Sequence, residues 1–209
     1  MFMSSNLKIC GEIEIDIHHN LLSKNKNIED IKKLYAHAQT FAQCREWIGN
    51  NLENISCISV SSNGEAARLS SEDSSSAAIA NIEAAEIYNL NVLRKNVEES
   101  HNNVTRFLVI GKDLVKPSGN DKTSILVSAK NNSGALYNLL EPLAKNEVSM
   151  SRIESRPSKH NNWEYIFFLD MEGHIDDKSV HKANIQIQEK ASLYKILGSY
   201  PRAINTKNA

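Results

Sequence analysis

Thr123-Ser124-Ile125-Leu126-Val127-Ser128-Ala129, followed by Ser133-Gly134-Ala135-Leu136-Tyr137-Asn138-Leu139-Leu140-Glu141-Pro142-Leu143, is the most informative stretch of this chain. Its first part is rich in aliphatic and β-branched residues and predicts a strand. In its second part Leu136, Leu139, Leu140 and Leu143 stand at i, i+3, i+4 and i+7, the apolar stripe of a helix. Ser133 occupies the position of a capping hydroxyl. Pro142 falls inside that helix and predicts a bend or an early end, because its ring conflicts with the Asn138 carbonyl. Downstream, Val148 to Ser155 and Trp163 to Met171 read as strands around a turn at Pro157 to Asn162. Val180, Ala183 and Ile187 mark a second helix, with Asp176 and Asp177 near its start, where carboxylates suit the helix dipole. Leu193 to Tyr200 is a last strand. The order β-α-β-β-α-β is the ferredoxin-like arrangement.

Upstream, Lys112 to Lys122 carries Pro117, Gly119, Asn120 and Asp121, turn chemistry that marks a linker. The domain division is therefore 1–115, a linker at 116–122, and 123–209. In the first part, Ile13, Ile15 and Ile17 alternate with Glu12, Glu14 and Asp16, a half-buried strand within Lys8 to Leu22. Asn20 to Asn27 reads as a loop and Ile31 to Tyr35 as a strand. Phe41, Cys44 and Ile48 predict a helix of about three turns closed by Gly49. Ile55 to Val60 is a strand, and Ser62 and Asn63 cap a helix through Leu69. A serine-rich turn follows at Ser70 to Ser76. Ala77 to Ala80 and Asn91 to Leu93 read as strands, with Ile82 to Tyr88 a short helix between them. Val104 to Ile110 reads as a strand covered on both faces. Strands alternating with helices give an α/β class.

Composition narrows the function. With 209 residues and 41% hydrophobic residues the chain has material for a core, which excludes native disorder. Lys+Arg 24 against Asp+Glu 25 leaves a net charge of −1, so nucleic acid is not an expected partner. No apolar run reaches the roughly 18 residues of a membrane span. No basic region followed by an apolar core opens the sequence, so no secretory signal is expected. Cys10, Cys44 and Cys57 form no CxxC pair, which fits a reducing cytoplasm rather than a disulfide framework or a thiolate zinc site.

The residues alone leave the chemistry open. No P-loop, dinucleotide fingerprint or nucleophile elbow is present. Adjacent His18 and His19 would point to opposite faces of a strand and so not share a metal. Thr105-Arg106 opens an apolar strand, as polar groups at a cleft do and as ordinary strand-entry residues also do. Gln43 and Arg45 lie on a helix whose polar face commonly meets solvent. Gly134 to Leu136 open a helix, whose free N–H groups suit a carboxylate, and Glu154-Ser155-Arg156-Pro157 end a strand beside it in the sequence order. A capped helix and a charged turn are the simpler reading.

Taken together, the motifs resemble one family. Asn103-Val104-Thr105-Arg106-Phe107 is similar to the N-x-T-R-F signature of prephenate dehydratases. Tyr35-Ala36-His37-Ala38-Gln39 through Ala42-Gln43-Cys44-Arg45 resembles that family's Y-S-H-P-Q…QC segment. Ala77-Ala78-Ile79-Ala80, Ala84-Ala85 and Tyr88-Asn89-Leu90 resemble its A-A-I-A…A-A…Y-G-L stretch. Ser133-Gly134-Ala135-Leu136 and Glu154-Ser155-Arg156-Pro157 resemble the G-A-L and E-S-R-P motifs of its regulatory ACT domain. The likeness runs from about Leu7 to Ile204.

The resemblance implies a periplasmic-binding-protein-like catalytic lobe, partial here, followed by a ferredoxin-like βαββαβ ACT domain. It implies decarboxylating dehydration of prephenate to phenylpyruvate, in phenylalanine biosynthesis, with no cofactor and no metal. Thr105 would supply a hydroxyl donor, Arg106 would bind a carboxylate or order the site, and Gln43 would add a neutral polar contact. L-Phenylalanine would bind as effector near Gly134, Ala135, Leu136, Glu154, Ser155 and Arg156, between ACT domains of a homodimer or larger assembly. The family's G-P-x-G-T-[FY]-[ST] and E-N-S segments do not occur. Ala36, Ala38 and Ser133 replace its usual Ser, Pro and Pro. The expectation is a truncated dehydratase with little activity alone. A non-catalytic phenylalanine sensor and one half of a split enzyme are the alternatives.

Overall fold

A computed structural model describes residues 5–100, 103–129, 132–157 and 165–203. Most of the turn expected at Pro157 to Asn162, together with Asn102 and Trp163, lies outside the described residues. The chain divides into two compact units, Ile15–Thr105 and a second that joins Met1–Glu14 to Arg106–Ala209. The chain crosses from one unit to the other within two strands, β1 (Lys8–Asp16) and β7 (Val104–Gly111), which pair in a two-stranded sheet. The polar stretch 116–122 lies inside the second unit.

The unit Ile15–Thr105 contains β2 (Asn20–Ser23), β3 (Lys33–His37), α1 (Ala38–Gln43), α2 (Arg45–Asn51), β4 (Ser56–Val60), α3 (Asn63–Glu72), β5 (Ser76–Ala80), α4 (Ile82–Tyr88) and β6 (Asn91–Arg94). Its sheet has the order β4-β3-β5-β2-β6, with β3 parallel to β4 and β5, and β2 antiparallel to β5 and β6. The two-residue period of the strands sorts the side chains into two cores. Leu21, Leu34, Ala36, Ala77 and Ile79 meet Cys44 and Leu52 of the α1–α2 region. Leu22, Ala78 and Ala80 meet Ala66, Ala67, Ala84 and Ala85 of α3 and α4. This is an α/β layer packed on both faces.

Three expectations need correction here. Asn20 to Ser23 is a buried central strand, not a loop. Its polar ends are satisfied: Ser23 Oγ donates to the Ser76 carbonyl at 2.7 Å, and Asn20 Oδ1 accepts from Asn96 N–H at 3.3 Å. The single three-turn helix is two helices broken at Cys44 (φ −118°, ψ 15°), and Gly49 lies inside the second of them. The serine-rich turn is shorter than expected because α3 continues to Glu72, with Ser62 capping its start through Glu65 N–H.

The second unit contains β8 (Asp121–Ser128), α5 (Ala135–Lys145), β9 (Met150–Pro157), β10 (Tyr165–Glu172), α6 (Lys178–Lys190) and β11 (Leu193–Pro201). The sheet order β11-β8-β10-β9, antiparallel throughout, is the ferredoxin-like arrangement expected. One sheet face packs Ile125, Val127, Leu169 and Met171 against Leu139, Leu143, Val180, Ala183 and Ile187 of α5 and α6. The other packs Leu126, Ile166, Leu197 and Tyr200 with Ile9 of β1. β11 approaches β1 closely at Gly198, where an added Cβ would stand 2.1 Å from the Ile9 carbonyl oxygen. α5 starts at Ala135 after Gly134 (φ +77°), and no side chain caps it, so Ser133 is not the cap. Pro142 is buried inside α5, which ends at Lys145 within a turn of it.

The β1–β7 pair differs from its sequence reading. β7 is not covered on both faces: Val104, Val109 and Ile110 are exposed, and Phe107 is 51% exposed. In β1 the expected burial is inverted: Ile13 is 52% exposed whereas Glu12 is buried. Alternation defines two faces, and tertiary contacts decide which one is covered.

Candidate functional site

Gln43 is the last residue of α1, immediately before the break at Cys44. Its Oε1 lies 2.9 Å from His19 Nε2. His19 is buried in the short connection between β1 and β2, and its neighbour His18 bonds Glu98 through Nδ1 at 2.8 Å. Glu98 also accepts the His19 backbone N–H at 2.9 Å, so both carboxylate oxygens are occupied. The same segment donates Val97 N–H to the His19 carbonyl at 2.8 Å and Glu99 N–H to the Gln43 carbonyl at 3.0 Å. Burial works to raise the Glu98 pKa, but the His18 bond and the His19 N–H outweigh it and hold the carboxyl below its ordinary range. Burial, with Glu98 and Glu99 nearby, pushes the Cys44 thiol up to about 12, so it is not a nucleophile at neutral pH.

Thr105 belongs to the same unit and is half-buried in β7. Two residues before it, the Asn103 carbonyl accepts Ile17 N–H at 2.7 Å, which fixes the start of β7 beside the His18–His19 connection. A cavity of about 270 Å³ in this unit is lined by Asp16, His18, Asn20, Asn81, Lys95 and Asn96, among others. Asn81 directly follows the carboxyl end of β5, the end of a strand at which α/β sheets place ligands.

Arg106 lies in the other unit. Its Nε donates to Glu12 at 2.6 Å, Nη1 to Asp170 at 2.5 Å and Nη2 to the Tyr200 hydroxyl at 2.7 Å. Glu12 also accepts Lys122 Nζ at 2.7 Å and Ala203 N–H at 2.9 Å. Ser124 joins Asp170 at 2.5 Å and Tyr200 at 2.6 Å. Burial would raise the Glu12 pKa, but Lys122, the Ala203 N–H and Arg106 together hold it below its ordinary value. Burial also works against the charged guanidinium, yet Tyr200, Asp170 and Glu12 keep its pKa above the usual one. Burial and Asp170 push the Tyr200 phenol up to about 12.

Of the residues expected to hold an effector, Ala135, Glu154 and Arg156 line two separate clefts of this unit, and Gly134, Leu136 and Ser155 line neither. Ala135 borders a cavity of about 570 Å³ with Asn132, Asn138 and Lys190, next to Gly134 and Leu136. Glu154 and Arg156 border one of about 170 Å³ with Arg106, Arg152, Phe168 and Asp170. Glu154 bonds Arg152 and Arg156 at 2.7 Å each, and Ser155 pairs with Phe167 across the sheet.

Comparison with known proteins gives the family. The prephenate dehydratase family model matches residues 1–114, more than half the chain. The chain belongs to the prephenate dehydratase family. A bifunctional chorismate mutase/prephenate dehydratase of Aquifex aeolicus is 46% identical over 204 residues, covering 98% of this chain and 56% of that protein. A prephenate dehydratase of Methanocaldococcus jannaschii is 36% identical over 200 residues, 94% of this chain and 72% of that protein. The crystal structure of an Arthrobacter aurescens prephenate dehydratase in complex with L-Phe has a TM-score of 0.84 at 33% identity, covering 94% of this chain and 67% of that one. The chain thus spans about half the length of the bifunctional relative. Among its described residues, no helix is long and apolar enough to cross a membrane.

Four polar positions of this arrangement were not legible in the sequence. Glu98 sits in an aperiodic polar stretch, the sequence around His19 suggests at most a metal ligand, and Asp170 and Tyr200 occupy strands whose pattern is set by their apolar residues. Only the fold brings them to Arg106 and Gln43.

Proposed function

We propose that this chain takes part in the conversion of prephenate to phenylpyruvate, with Thr105 and Gln43 as substrate-contacting residues. The observation that carries the reading is that both fall in the family-matched segment and in one compact unit, where Gln43 is held by His19 and Thr105 follows a fixed strand entry. In the reaction the bond to the ring carboxylate breaks, carbon dioxide leaves, and its electron pair enters the ring. The ring hydroxyl departs with its bonding electrons, and the ring becomes aromatic. The Thr105 hydroxyl donates a hydrogen bond to the departing oxygen; as a weak acid it stabilises charge rather than giving up its proton. Gln43 offers amide donors to a substrate oxygen. For Arg106 the ordering role is the supported one, because Glu12, Asp170 and Tyr200 engage all three of its nitrogens.

In this reading residues 1–115 form the dehydratase part, 116–122 a linker and 123–209 an ACT domain. L-Phenylalanine binds near Gly134 to Leu136 and Glu154 to Arg156. These groups border different clefts of one chain, which supports a site completed by a second copy. Free Cys10, Cys44 and Cys57 support a reducing, cytoplasmic setting. The test is calorimetric titration of the chain with L-phenylalanine, L-tyrosine and prephenate. Binding of prephenate and selective binding of L-phenylalanine are expected; heat from neither would overturn the reading.

A further inference from the structure

We infer that His19 is a positioning residue that fixes the orientation of the Gln43 amide, so that Gln43 meets its ligand as a hydrogen-bond donor and selects for an anionic or carbonyl oxygen. The inference rests on the reading of Gln43 as a substrate-contacting residue.

An amide is two-faced: its oxygen accepts, its nitrogen donates, and rotation by half a turn exchanges them. What stands behind it therefore decides what it shows to a ligand. Here Oε1 of Gln43 lies 2.9 Å from His19 Nε2. An amide oxygen only accepts, so this bond places a proton on Nε2 of His19. Both N–H groups of Gln43 are then left to donate, and no partner of that nitrogen is found among the described residues. The reverse orientation would spend an N–H on the His19 ring and present the oxygen, which repels carboxylates.

His19 is built to hold this role. The residue is 4% exposed. Its backbone N–H is bound by the Glu98 carboxylate and its carbonyl by Val97 N–H. Glu99 N–H binds the carbonyl of Gln43 itself. Residues 97–99 thus pin the backbone of both partners, and the ring-to-amide bond constrains the side-chain torsions of Gln43. Truncation of the ring would leave the amide free to rotate, with Gln43 still in place.

The experiment uses the full chain labelled with ¹⁵N and titrated with prephenate. The expected result is a protonated, pyrrole-type Nε2 signal for His19 and a prephenate-dependent shift of the Gln43 side-chain amide. His19→Leu should lose that amide shift and weaken prephenate binding by about tenfold, the loss of one hydrogen bond of roughly 1.4 kcal/mol. His19→Gln, which again offers an N–H to Oε1, should restore much of it. If His19→Leu does not fold, the Nε2 signal of the unaltered chain and His19→Gln still decide the matter. A pyridine-type Nε2 would overturn the inference while leaving Gln43 as a contact. Prephenate that shifts other residues but not the Gln43 amide, or none, would overturn both.

Discussion

Arg106 donates to Asp170 at 2.5 Å, within a unit that does not include the preceding residue, Thr105. The dipeptide that reads as one motif is thus divided in its structural duties. Thr105 ends one compact unit, and Arg106 is locked in a polar cluster with Glu12, Asp170 and Tyr200 at the face of the ferredoxin-like sheet.

That cluster should be sensitive to the shape of the cation as well as its charge. Lysine has no planar fork and cannot reach three acceptors in fixed directions. Arg106→Lys is expected to lower stability by about 1–3 kcal/mol in urea unfolding. Combined with Asp170→Asn in a double-mutant cycle, it should show a coupling of at least about 0.5 kcal/mol. Additive effects would mean that the two residues act independently.

Acid should destabilise the chain in part through two buried carboxylates. Glu12 and Glu98 titrate lower in the folded chain than in the unfolded one, because their cationic and N–H partners outweigh burial. Between the two values the unfolded state binds more protons, so stability falls as pH drops. The contribution is complete above the unfolded value, near pH 4.3 on the ordinary scale, and fades as pH falls through the lower folded values. Melting temperature should therefore decline steeply below about pH 4.5. Glu12→Gln should melt lower at pH 7 and show a shallower acid limb; parallel limbs would contradict this.

Gly198 should tolerate no side chain. An added Cβ would stand 2.1 Å from the Ile9 oxygen and 2.9 Å from its carbonyl carbon and nitrogen, all backbone atoms that cannot swing aside. Gly198→Ala is expected to destabilise by about 1–3 kcal/mol through forced separation of β1 and β11. By contrast, Gly119→Ala meets open space, and its cost is confined to its φ of +91°. Calorimetric melting of both variants checks the order.

The ferredoxin-like half was readable because its signals are local. Leu136, Leu139, Leu140 and Leu143 announce a helix, and the strands around it have conventional length. The corrections fall where tertiary contacts overrule pattern. Asn20 and Ser23 look like loop residues, yet the Asn96 N–H and the buried Ser76 carbonyl satisfy their side chains within an interior strand. Glu12 looks like the wet side of β1, yet Arg106 and Lys122 bury it while Ile13 stays exposed. Thr105, Arg106 and Gln43 are visible through motif resemblance, whereas Glu98 and His19 depend on contacts between residues up to 80 positions apart.

We propose that Thr105 and Gln43 serve the dehydration of prephenate. The most direct test is phenylpyruvate formation by the complete gene product containing this sequence, comparing the unaltered protein with Thr105→Ser and Thr105→Ala. Conversion by the unaltered protein is expected, with substantial activity in Thr105→Ser, which keeps the hydroxyl, and a loss of about 10²-fold or more in kcat for Thr105→Ala, as for removal of one donor to developing charge. Near-normal turnover by Thr105→Ala would contradict the proposal.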